Sequence, residues 1–289
     1  MKTLILCIEP KEKSSQPCQG SSIKSNCNFS FGFSVSNVLA RLLWVCIASF
    51  STASAQADTL DLVRQTHQQL LGGEMAAAKA TFKKVPRSDR SLPPVIFEQA
   101  LLDDAEGHHL QARQQYDRLK TGPLASSAEV PSAVNLAAIG RFRDAGEAFK
   151  KLSTSQDSYV AGYAELWQLW LTARIHNGSS AIHRAKLAEA ACRVHAASPQ
   201  QQAIAQLYAG NGSVDAVFAA IDSMSFADPL QMRSARTEAA FFAGGYLQYV
   251  LKDYAAAKRI YDKELSQPSA SIERPLLKQS LAGLSIVSH

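Results

Sequence analysis

The body of this 289-residue chain is poor in cysteine. Cys7, Cys18, Cys27 and Cys46 all precede residue 56, and only Cys192 follows it. An intramolecular disulfide in the body is therefore excluded, and no C-x-x-C pair is present. In the run A-E-A-A-C-R, Cys192 reads as a small apolar helix residue, since no His or acid is arranged to activate it. Charge of one sign is lacking too. The formal net charge is +5, but Lys2, Lys11, Lys13, Lys24 and Arg41 stand against only Glu9 and Glu12 in the first 55 residues. The remainder is near neutral and carries no Lys/Arg run, so it has no electrostatic footprint for nucleic acid.

Catalytic signatures are missing as well. There is no H-E-x-x-H, no G-x-S-x-G and no phosphate-binding lysine loop. Gly210-Asn211-Gly212 has no preceding strand and no Lys, and reads as a turn. His108 and His109 fall at an interhelix turn and read as solvated. His176, His183 and His195 have no spacing that sets three ligands on one helix face. Asp103 and Asp104 are adjacent, so on a helix they face different ways and make a poor acid/base pair. The expectation is a chain with no catalysis, no metal and no cofactor. Sustained alternation is absent, which argues against strands.

The N-terminus has one informative run. Leu42 to Phe50 is apolar and follows Arg41, and Ala53-Ser54-Ala55 has the small-x-small form that signal peptidase needs. Residues 35–55 thus read as a secretory signal peptide cleaved after Ala55, placing residues 56–289 in a bacterial periplasm. Nine apolar residues fall short of the roughly 20 that a spanning helix requires, so no integral span is expected in the mature form. Residues 1–34 are polar and Ser-rich, foreign to a signal peptide. The expectation is a start placed too early, with Val35 or Val38 as the natural alternative. Cys46 is preceded by Trp44 and Val45, which argues against lipid attachment there.

With 46% apolar residues the body is composed to fold, and its dominant signal is repetition. A turn residue, a small residue five positions on and a bulky one four further recur as Gly73–Ala78–Phe82, Gly107–Ala112–Tyr116 and Gly140–Ala145–Phe149. Gly178–His183–Leu187, Gly212–Val217–Ile221 and Lys252–Ala257–Tyr261 continue the series less faithfully. Twelve residues before each middle position stand Thr66, Ala100, Ala133, Leu171, Ala205 and Gly245, mostly small, as closely crossing helices require. Pro93-Pro94, Pro131, Pro199, Pro229 and Pro275 are expected between units or near first-helix starts. The pattern predicts an all-α fold of about six helix pairs. A closing helix from Pro275 to Ile286 would turn Leu277, Leu281 and Leu284 onto the last unit.

From Leu60 to Leu265 these units resemble tetratricopeptide (TPR) repeats, most clearly in E-A-A-F-F-A-G-G-Y-L-Q-Y-V-L-K-D-Y-A-A-A-K-R-I-Y over 238–261. The resemblance implies a superhelical solenoid whose first helices line a partner-binding groove. Its groove positions would be Phe97, Leu101, Asp104, Gln168, Thr172, Gln202, Gln206, Phe242, Tyr246 and Tyr249. For the aromatics, filling the core is an equal alternative. Such a groove is apolar and amide-bearing, unlike that of carboxylate-clamp members.

The second half, from Y-A-E-L-W-Q-L-W-L (163–171) through the closing helix, is similar to NlpI-like periplasmic TPR adaptors, though it lacks their lipidated cysteine. That similarity implies a scaffold for other envelope proteins, such as a protease, a peptidoglycan hydrolase or a secretion component. It also implies self-association into a homodimer. The alternative is an assembly factor of an envelope export system for pili, polysaccharide or secreted proteins.

Overall fold

The computed structural model describes residues 57–176, 180–269 and 271–287. The N-terminal extension, the signal segment, four of the cysteines and the Gly178 turn lie outside the described residues. Among those described, every regular element is helical.

Six consecutive helix pairs follow one another. They are α1 (57–71) with α2 (Met75–Phe82), α3 (Pro93–Glu106) with α4 (His109–Arg118), and α5 (Ala125–Ala138) with α6 (Phe142–Leu152). Next come α7 (Ser158–Ile175) with α8 (Ala181–Ala191), α9 (Pro199–Tyr208) with α10 (Val214–Asp222), and α11 (Pro229–Gly245) with α12 (Tyr254–Leu265). Helix α13 (Arg274–Val287) closes the chain. Short links make the two helices of each pair antiparallel neighbours. No helix among the described residues is long and apolar enough to cross a membrane.

Local chemistry explains the boundaries. Gly107 ends α3 at φ +87°, its N–H returning to the carbonyls of Asp103 and Asp104; only a residue without Cβ takes that left-handed turn cheaply. Ser198, Ser213 and Asp253 accept backbone N–H groups at the starts of α9, α10 and α12. Pro93, Pro199 and Pro229 open their helices, where a missing N–H is harmless.

Three local expectations are corrected. Pro131 lies inside α5 and not at its start, its ring buried between helices. The left-handed residue of the fifth turn is Gly210, φ +79°; Gly212 instead lets the chain pass against α9, since a Cβ there would lie 2.8 Å from the Leu207 nitrogen. Cys192 sits just past the end of α8 and is exposed, not packed.

The repeat positions pack as the pattern requires. Thr66, Ala100, Ala133, Leu171 and Ala205 are all buried, and so are Ala78, Ala112, Ala145, Val217 and Ala257 opposite them. His183, in the fourth pair, is only half-buried. Gly245 is required by contact: a Cβ there would lie 2.4 Å from the Trp170 indole nitrogen. The core divides at α5. One cluster belongs to the first two pairs, and a larger one, built on Trp167, Trp170, Phe241 and Phe242, runs from α5 to α13.

The closing helix does more than cover the last pair. Leu277 and Leu284 are buried, and Leu281 is half-buried. The segment also returns across the array: Gln279 donates to the Ala138 carbonyl (3.3 Å), and Pro268 lies beside Gly73 in the first turn.

Candidate functional site

The ten groove positions do not form one continuous surface. Leu101 and Asp104 border a cavity of about 470 Å³ between α1, α3, α4, α5, α11 and the segment 268–278. Gln202, Gln206 and Thr172 are exposed and Gln168 half-exposed, two on α7 and two on the adjoining α9. Phe97 and Phe242 have no exposed surface at all.

The core reading therefore holds for those two rings. Phe242 packs edge-on to Tyr163 (6.2 Å) and Trp167 (5.8 Å), where no partner reaches it without unfolding. Tyr246 and Tyr249 are buried on a π-helical turn, Tyr246–Leu251, that follows α11. Tyr246 stands 5.3 Å from Tyr208, and Tyr249 takes a hydrogen bond from Arg174 while meeting Trp170 edge-on. A π turn accommodates one extra residue per turn, which ends the regular register of α11.

The cavity's polar wall is a bonded group. Asp104 Oδ1 accepts from Asn135 Nδ2 (2.7 Å) and lies 2.8 Å from His109 Nδ1. Asn135 Nδ2 also donates to the His109 carbonyl (2.9 Å), locking α3, α4 and α5 together. His109 is thus buried, contrary to its expected solvated position; His108 beside it is exposed. Burial, reinforced by the Asp104 charge, pushes the Tyr116 phenol well above its usual range. Asp103 points elsewhere and is bonded by Gln99, as expected for adjacent helical residues; burial raises its carboxyl too.

At the other wall lie two buried carboxyls. Glu273, on the segment before α13, accepts from the Tyr163 and Ser271 hydroxyls. Glu238, on α11, accepts from Gln200 Nε2 (3.0 Å) and the Tyr159 hydroxyl (3.4 Å). Burial raises the Glu238 carboxyl well above its usual range; Glu273 pushes it further and the Tyr159 bond opposes. Burial also raises Glu273, against the bonds from Ser271 and Tyr163. Every carboxyl oxygen here is bonded to a side chain of the protein itself, so the pair ties α7, α9, α11 and the C-terminal segment together. Among the described residues no group of three His, Cys, Asp or Glu is arranged to hold a metal.

Asn135, Glu238 and Glu273 belong to this site and were not singled out by the sequence pattern, and His109 was read only as a solvated turn residue. Asn135 alone carried a local signal, as a polar residue within the small and apolar run 130–139.

A scan of known protein-family models finds no match to this chain, and a search of curated proteins finds none either.

Proposed function

We propose that this chain is a non-catalytic scaffold of the tetratricopeptide kind, exported to the periplasm, that holds other envelope proteins. The observation carrying this reading is the tandem series of six helix pairs, with buried small residues at most of the crossings. Each pair covers its faces with its neighbours, and on the first helices α7 and α9 the side chains of Gln168, Thr172, Gln202 and Gln206 stay accessible for protein contact. The NlpI-like resemblance of residues 163–284 supplies the class of partner: a periplasmic protease or a peptidoglycan hydrolase.

The contact surface in this reading is the polar ridge of Gln168, Thr172, Gln202 and Gln206. Its amide and hydroxyl groups are open on two adjoining helices, whereas the aromatic positions are occupied by packing. Photo-crosslinking side chains placed at Gln202 and Gln206 in the exported protein test it. A discrete adduct with an envelope hydrolase or protease is expected there, and none from Arg118 on α4. Absence of any adduct from either position overturns the reading.

A further inference from the structure

Large apolar side chains stand exposed at the turns joining the helices of a pair. Leu251 (52%) and Tyr254 (43%) flank the sixth turn, while Ile175 (55%) and Ile182 (69%) flank the fourth. The described residues beside these turns meet at one edge, together with Phe142 beside the third turn. Arg174 lies over the ring of Phe142 from the third pair (4.7 Å) and over that of Tyr249 from the sixth (5.1 Å). The His176 and His183 rings stack at 4.9 Å, which brings Ile175 and Ile182 to the same place.

The charge on this edge is biased to positive. Across residues 139–144, 174–184, 208–215 and 246–255 the cations are Arg141, Arg143, Arg174, Arg184 and Lys252, and the anions are Asp144, Asp215 and Asp253. Asp144 is already held by Arg141 (2.6 Å), and Asp253 caps α12. A near-neutral body thus concentrates positive charge where its apolar side chains protrude.

We propose that this edge docks on an anionic lipid surface. Aliphatic and aromatic side chains projecting from turns can enter the headgroup region, and the surrounding Arg and Lys side chains meet lipid phosphates. No spanning segment is needed, and the binding is reversible and salt-sensitive. The assignment stands whether or not the chain carries partner proteins.

The test is sedimentation of the exported protein with vesicles of phosphatidylglycerol and phosphatidylcholine, 1:1, against phosphatidylcholine alone. At low salt, binding at least about tenfold stronger to the anionic vesicles is expected, with loss at high salt. Ile182→Ser with Leu251→Ser, and separately Arg143→Glu with Arg184→Glu, should each weaken it by about tenfold or more. These positions are on the surface, so retained circular dichroism is expected in both variants. Equal binding to both vesicle types, no binding to either, or unchanged binding by the variants overturns the proposal. So does a patch that crosslinks to a protein but binds no vesicle.

Discussion

Tyr163 and Glu273 are 110 residues apart, yet the phenol of one donates to the carboxyl of the other inside the folded chain. The bond fastens the C-terminal segment to α7, and Glu238 lies close enough for its own titration to feel Glu273. Tyr163→Phe removes the donor while keeping the ring, leaving a buried carboxyl oxygen unsatisfied. A loss of about 1–3 kcal/mol in urea unfolding is expected.

The same pair makes stability depend on pH in a definite direction. The folded value of Glu238 is raised above the ordinary glutamate value of 4.5, so the folded chain holds that proton more tightly than the unfolded one. Its contribution is full below about 4.5 and is lost as pH rises through the folded value. Glu238→Gln, neutral at every pH and still able to accept from Gln200, should flatten the fall in urea midpoint as pH rises above about 4.5. A slope as steep as wild type would remove Glu238 from the account.

Gly244 and Gly245 end α11 where two fully buried rings press against the backbone. A Cβ on Gly244 would lie 2.2 Å from the Tyr261 ring, and one on Gly245 would lie 2.4 Å from Trp170 Nε1. Both rings are fixed by packing on the surrounding core. Either substitution to Ala should cost about 1–3 kcal/mol or more through overpacking, read as a lowered melting temperature. A neutral result at Gly245 would mean that α7 and α11 do not cross there.

Gly140 and Lys252 both adopt left-handed backbone, at φ +77° and +60°. Nothing lies within 4 Å of a Cβ built on Gly140, so Gly140→Ala tests backbone strain alone. It should destabilise by roughly 1–2 kcal/mol, and Lys252→Gly should stabilise by up to about 1 kcal/mol. Chemical denaturation of the two variants checks both signs.

Phe242 and Gln206 both fall at groove positions of the repeat, with filling the core an equal alternative for Phe242, and the two differ in burial. Phe242→Ala should cost about 3–5 kcal/mol because it empties space in a close-packed aromatic core. Gln206→Ala, on the surface, should change stability by no more than about 0.5 kcal/mol. Only the second can report on binding without reporting on folding.

The array was legible because helix crossings impose small residues at a fixed spacing, and Ala78, Ala112 and Ala145 satisfy it locally. Turn glycines were legible for a similar local reason, φ beyond +70° at Gly73, Gly107 and Gly140. What escaped depends on contacts across the chain. Pro131 as an interior residue of α5, and His109 as a buried one, are decided by neighbours on other helices. The position of a first-helix aromatic is the same whether that face lines a groove or is packed over, so Phe97 and Phe242 carried two meanings. Asn135 and Glu273 had no repeat position at all, and their roles appear only once α5 and the C-terminal segment share a cavity.

The contact of Pro268 with Gly73 joins the first turn to the link between α12 and α13. In an open row of repeats each unit touches only its sequence neighbours, so a cut between two units leaves the outer turns with the contacts they had. Here a cut between α6 and α7 would strip the first turn of its neighbour on the far segment. The array is thus closed on itself at that point, and its halves are not interchangeable modules.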